Sequence, residues 1–226
     1  DWVSERKDRQ TETTYLELLA RDVAELRQQV EAQYIFEKEK VNIAALAYEL
    51  LRSDDPSAHR VELGELLTML SGRRTLSLDS ATYEQMVSSG HLQLIRNPEL
   101  RDKLVRHFSV MKTDAAIIGK NNQDLIDDIF QPFLLQTGIS LRFGRSDTET
   151  TLNRAAAIMA ERLGPAYEPL PDIVLSQPPE AESWGDIRRN VIFRMRIASV
   201  GQAKSEDIAA YMQEIADDLA AELARR

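Results

Sequence analysis

Apolar residues recur every three or four positions from Tyr15 through Leu19, Val23, Leu26, Val30 and Tyr34, and again, after a step of seven, at Val41, Ala45 and Tyr48, with no glycine or proline between them. That spacing predicts one helix over residues 4–52, roughly 70 Å long at about 1.5 Å per residue. A helix of this length outruns the usual globular range and needs a bundle or coiled-coil neighbour. Leu16, Leu18, Leu46, Leu50 and Leu51 widen the stripe, so more than one neighbour packs against it.

The next elements are short. Asp55 before Pro56 reads as an N-cap with proline in the first turn, and Leu63, Leu66, Leu67 and Leu70 give the helix one apolar face before Gly72. Asp79 or Ser80 caps a second short helix to about Ser89, and Gly90 supplies a left-handed stop with Leu92 folding back on it. Asn97-Pro98 opens another long helix with the stripe Leu100, Leu104, Phe108, Met111, Ala115, Ile118, Leu125, Ile129 and Phe133, ending near Gly138 with a kink near Pro132.

Ser146-Asp147-Thr148-Glu149 is a capping box for a helix carrying Leu152, Ala155, Ala156, Met159 and Leu163 and stopping at Gly164-Pro165. Residues 165–184 hold five of the eight prolines and read as a linker or a surface-hugging loop. Residues 185–226 return to helix, with Ile208, Met212, Ile215, Leu219 and Leu223 on a narrow seam, and Gly201 is a weak point within one long helix. The pattern thus predicts an all-α fold, an elongated antiparallel bundle of three long helices with short corner helices. The expected organisation is a single domain over residues 1–226: a stalk-like helix (1–52), a short-helix cap (56–96), a second long helix (97–138), a short helix (146–164), a Pro-rich linker (165–184) and a final long helix (185–226).

Composition narrows the function more than the fold. The 226 residues are 43% hydrophobic and 29% charged, enough to bury a core. A formal net charge of −9 argues against nucleic acid, which asks for a basic footprint, and against coating an anionic membrane surface. The chain has no cysteine, so disulfides, thiolate nucleophiles and cysteine-based metal sites are excluded. Trp2 beside the charged run Glu5-Arg6-Lys7-Asp8-Arg9 fits an aromatic at a membrane interface with charges entering water, so a membrane helix is expected before Asp1.

Catalytic patterns are weak. The three histidines, His59, His91 and His107, are not spaced for joint ligation, and the adjacent pairs Asp54-Asp55, Asp127-Asp128 and Asp217-Asp218 diverge by about 100° on a helix. No nucleophile elbow, phosphate loop or His-Glu-x-x-His occurs. The chain therefore reads as no enzyme, with no metal site and no cofactor. Asn121-Asn122-Gln123 interrupts the second long stripe and reads as a turn of exposed face rather than a buried polar site. Arg194 and Arg196, set among Ile192, Phe193, Met195 and Ile197, allow one arginine buried against a carboxylate, but the favoured reading is an interfacial arginine whose stem covers apolar surface.

The most distinctive stretch is the corner from Ser80 to Leu104. Tyr83, Ser88, Ser89, Gly90, Asn97 and Arg101 are its candidate ligand- or partner-binding residues, with hydroxyls and amides turned out beside a glycine stop. The same serines serve equally well as caps of a helix–turn–helix. This segment is similar to the pattern Ser-x-x-Thr-Tyr-x-x-Leu-x-Ser-Ser-Gly-x-Leu-x-Leu-Ile-x-Asn-x-x-Leu-Arg-x-x-Leu, with Met86 where leucine is usual and Ser80 one residue nearer Tyr83.

That pattern resembles a family of bacterial membrane-anchored proteins with no assigned activity. Its members look like one N-terminal membrane helix followed by a helical extracytoplasmic domain. The resemblance implies a domain at the bacterial inner membrane on the periplasmic side. With the first helix rising from the membrane, the bundle pattern makes the short-helix pair a membrane-distal cap and places the corner far from the bilayer. It supplies no catalytic residues. The leading expectation is a non-enzymatic protein-interaction or assembly module that binds an unknown protein partner or self-associates. The alternative is a helical-bundle sensor of a small ligand, and a hydrolase or metal enzyme ranks last.

Overall fold

The computed structural model describes residues 2–137, 151–164 and 173–225. Every regular element among them is helical: α1 (Trp2–Leu51), α2 (Arg60–Leu70), α3 (Ala81–Ser88), α4 (Pro98–Asn121), α5 (Gln131–Gln136), α6 (Thr151–Leu163) and α7 (Ser183–Ala224). A π-helical segment, Asn122–Phe130, joins α4 to α5, and 3-10 turns lie at Pro56–His59, His91–Leu94 and Ile173–Ser176. The all-α expectation is met. Gly201 stays inside α7, where its carbonyl accepts the Ser205 hydroxyl at 2.8 Å. The capping box at Ser146–Glu149, the link at 139–145 and residues 165–172 of the proline-rich stretch lie outside the described residues.

Local chemistry accounts for the helix starts. The Asp55 carboxylate accepts the Ser57 amide at 3.1 Å ahead of Pro56. Ser80, not Asp79, caps α3, its hydroxyl accepting the Tyr83 amide at 3.1 Å. Asn97 caps α4, its side-chain oxygen taking the Glu99 and Leu100 amides at 3.1 and 3.2 Å. Each satisfies donors that a helix N-terminus otherwise leaves open.

The chain packs as two compact units, each with its own core. The first comprises residues 1–36, 75–119 and 200–226. Leu16, Leu19, Val23, Leu26 and Val30 of α1 meet Leu104, Phe108 and Met111 of α4 and Ile208, Met212 and Ile215 of α7. Side-chain contacts give the sense of the α4–α7 packing: the Lys103–Asp218 ion pair at 2.6 Å, the His107–Glu214 hydrogen bond at 3.0 Å and the Asp114–Lys204 ion pair at 2.7 Å, so the two helices run antiparallel. Between Thr75 and Ser80 the chain is non-helical and alternates, with Leu76 and Leu78 buried in this core and Ser77 and Asp79 outside.

The second unit comprises residues 37–74 and 120–199. Its core gathers Ala44, Ala47 and Leu51 of α1, Leu63, Leu67 and Leu70 of α2, Phe130 and Leu134, and Trp184, Ile187 and Val191 of α7. The Trp184 indole N–H donates to the Pro178 carbonyl at 2.9 Å.

The expected stripe of the second long helix fails beyond residue 121. Leu125 and Phe133 are only partly buried and Ile129 is exposed, whereas Asn122, Ile126, Phe130 and Leu134 are buried. The π segment is the reason: a turn wider than 3.6 residues brings positions four apart onto one line and shifts the inward face by one residue. The irregularity expected at Pro132 therefore begins ten residues earlier, and Pro132 sits in the first turn of α5, where its missing N–H costs little.

Candidate functional site

The corner packs on the N-terminal half of α1, through Glu12, Tyr15 and Asp22. It is therefore not the cap at the far end of α1 from Asp1 that the pattern suggested. The extended segment before Ser80 explains this, because the chain enters α3 along α1 rather than by a tight turn. The Glu12 carboxylate accepts the Arg96 amide at 2.7 Å, the Tyr15 hydroxyl meets His91 Nδ1 at 2.7 Å, and Asp22 accepts the Ser80 hydroxyl at 2.9 Å and the Thr82 amide at 3.0 Å. From α7, Glu222 accepts the Asn97 side-chain amide at 3.0 Å.

The candidate corner residues are thus brought onto one short stretch, and the side chains of Ser88, Ser89, Asn97 and Arg101 bond within the fold. Ser88 and Ser89 are exposed, and both hydroxyls donate back to the Gln85 carbonyl, at 3.1 and 2.7 Å. Tyr83 stacks on Phe108 with ring centroids 4.2 Å apart, and burial pushes its hydroxyl pKa up against the opposing Lys112 charge. Arg101 reaches Gln93 at 3.4 Å. Gly90 adopts φ of 74° with open space where a Cβ would stand, so Gly90→Ala meets only backbone strain. We expect it to lower unfolding stability by about 1 kcal/mol and Gly90→Asn by less, read from urea midpoints.

Asp22 gives the corner a pH dependence. Burial pushes its carboxyl up, but the Thr82 amide, the Ser80 and Thr82 hydroxyls and the Arg21 charge together outweigh that and hold it below the usual aspartate value. The folded state therefore prefers the carboxylate. The stability it adds is present above the unfolded pKa of about 3.9 and is lost as pH falls through the folded value. We expect Asp22→Asn to cost about 1 kcal/mol at pH 7, with the gap from wild type closing as pH falls below about 4. A gap unchanged between pH 7 and pH 3 would contradict this role.

A dense polar arrangement lies in the second unit, where side chains capture carbonyls at the end of α2 and just beyond it. Lys40 Nζ donates to Met69 at 2.8 Å, Arg194 Nε to Leu70 at 2.8 Å, Gln131 Nε2 to Ser71 at 3.0 Å, Arg194 Nη2 to Gly72 at 3.1 Å and Asn122 Nδ2 to Arg74 at 2.7 Å. A helix C-terminus leaves carbonyls without intrahelical partners, and its dipole favours cations there. Arg194 is fully buried, and Nη1 has no hydrogen-bond partner among the described residues. Burial pushes its pKa down, with Glu37 opposing; burial also lowers Lys40, with Glu39 and Glu37 opposing and Arg194 adding to the drop.

Two sequence expectations are corrected here. Arg194 is buried on backbone carbonyls, whereas Arg196 is exposed, and Asn122 is buried rather than part of an outward turn. Their acceptors, Leu70 and Gly72 for Arg194 and Arg74 for Asn122, lie at the end of α2 and just beyond it, far away in sequence. Chemically the arrangement fixes a chain turn: two cations and two carboxamides donate to main-chain carbonyls.

The remaining feature is an open groove of about 710 Å³ on the first unit, between α1 and α7. Ala24, Ala32 and Ala209 form its apolar lining, Ile35 stands beside them 55% exposed, and Arg27 and Glu31 lie along it. Sequence reasoning missed this face. Its only sequence signal is Ile35, an apolar residue off the main α1 stripe. Among the described residues, no three acidic or histidine side chains are grouped to hold a metal ion, and no helix is long and apolar enough to cross a membrane. Family models, curated proteins and solved structures yield no match to the chain.

Proposed function

We propose that this chain is a non-enzymatic soluble domain of a single-span, membrane-anchored bacterial protein, acting as a protein-interaction or assembly module on the periplasmic face of the inner membrane. The observation that carries the interaction reading is the α1–α7 groove. An exposed isoleucine beside three alanines, with an arginine and a glutamate along the same cleft, is the apolar centre with charged rim that protein partners cover. The corner and the post-α2 clamp support it indirectly, since their polar groups are engaged in holding the fold. Anchoring rests on the resemblance of the corner motif and of the Trp2–Lys7 stretch. Trp2 is 71% exposed with the Arg6 guanidinium 5.5 Å from its ring, a pairing suited to the water–lipid boundary.

Ile35→Asp tests the interaction reading in the full-length protein. The side chain is exposed, so helicity by circular dichroism should stay at the wild-type level. On a native gel of detergent-solubilised membranes, wild type should migrate as a complex that Ile35→Asp abolishes. Identical migration of the two would contradict the proposal.

A further inference from the structure

We infer that the groove is the seat of a second copy of this chain, packed antiparallel through α1 about a two-fold axis between Gln28 and Glu31. This names the partner for the surface proposed above and rests on that reading. Ala24, Gln28, Glu31 and Ile35 fall within about 60° of arc on the helix, at about 100° per residue. They form one narrow seam, with Arg27 on its flank.

The seam is self-complementary in one direction only. With the two-fold midway between Gln28 and Glu31, position n faces position 59 − n. The exposed Ile35 of one copy then lies over the small Ala24 of the other, a knob facing a hole, and does so twice. Arg27 of each copy comes within one residue of Glu31 of the other, so the axis creates two opposite-charge pairs flanking the apolar contacts. A parallel pairing sets Ile35 on Ile35, Arg27 on Arg27 and Glu31 on Glu31. It leaves the alanines facing each other across a gap and places like charges together, which is unfavourable. Ala209, on the other wall of the groove, has a side chain small enough for the partner helix to approach.

Charge exchange tests the pairing without touching either core. Sedimentation equilibrium of the whole chain should give twice 25.6 kDa. Arg27→Glu or Glu31→Arg alone should weaken association at least about 10-fold, and the double exchange Arg27→Glu/Glu31→Arg should restore it to within about 3-fold of wild type.

Direction is read separately, by a short thiol-reactive cross-linker, because the natural chain has no cysteine to interfere. A mixture of Ala24→Cys and Ile35→Cys proteins should cross-link 24 to 35 and neither to itself. Self-linking of Ala24→Cys shows a parallel pair and overturns the inference. A monomeric mass at every concentration also overturns it. If a native-gel complex lost in Ile35→Asp accompanies that monomeric mass, the occupant is another protein and the interaction reading stands. If no such complex exists, both fall.

Discussion

Arg194→Met should destabilise the second unit by about 3–5 kcal/mol. The buried Leu70 carbonyl and the part-buried Gly72 carbonyl lose their donors, and each buried polar group left unsatisfied costs about 1–3 kcal/mol. Replacing a buried ion pair by apolar residues is often neutral, because both charges leave together. Here the acceptors are main-chain groups that no side-chain substitution removes, so that relief is absent. The relief from no longer burying a guanidinium, one of whose nitrogens already lacks a partner, keeps the cost within this range. Arg194→Lys should recover part of the loss, since an ammonium cannot serve two carbonyls in a fork as a guanidinium does. Arg196→Met, at an exposed position one turn face away, should change stability by less than about 0.5 kcal/mol. Urea unfolding followed by circular dichroism checks all three, and equal effects at 194 and 196 would contradict the clamp.

Trp184→Ala should have a comparable effect by a different route. Trp184 is 1% exposed and packs in the second core together with Val174, Leu175 and Ile187. Truncating a buried tryptophan costs about 3–5 kcal/mol through lost burial and the cavity left behind. Trp184→Phe separates the terms. It keeps most of the ring and loses the bond to the Pro178 carbonyl, so it should cost about 1–2 kcal/mol. Hydrogen exchange localises the damage: amides of 173–191 should lose protection in Trp184→Ala, while those of α4 keep theirs. Loss of protection confined to α4 would contradict the assignment of Trp184 to the second core.

What the sequence makes legible here is what its local chemistry dictates. The first half of the α1 stripe, Tyr15 to Val30, and the seam Ile208, Met212, Ile215 and Leu219 depend only on the 3.6-residue period, and the structure buries both. Beyond Val30 the expected Tyr34, Val41, Ala45 and Tyr48 are only partly buried, and Gln33, Glu37, Ile43, Ala44, Ala47 and Leu51 face inward instead. Asp55, Ser80, Asn97 and Gly90 act on amides or dihedrals within three residues of themselves, so their roles follow from type and position. The misses all involve distance or register. Arg194 donates to carbonyls more than 120 positions earlier, which no periodicity encodes. The π segment shifts the inward face from Ile129 to Phe130, yet a 3.6-residue pattern draws the stripe straight through it. Leu76 and Leu78 make an alternation of only two, too short to read as extended chain.

The candidate site was legible in part. The corner from Tyr83 to Arg101 is a compact structural joint as its caps suggest, but its placement on Glu12, Tyr15 and Asp22 depends on contacts across 58 to 84 residues. The groove was not legible. A stripe of alanine, glutamine, glutamate and one isoleucine looks like solvated helix until α7 is laid beside it and leaves a cleft.

The central claim is that this protein works by presenting the α1 groove to another protein chain. A photo-activatable cross-linking residue in place of Ile35, in the full-length protein in living cells, tests it most directly, with Val105 on α4 as the exposed control. The account predicts a covalent protein adduct from position 35 and none from position 105. Adducts absent from position 35, or equally abundant from both, would contradict it.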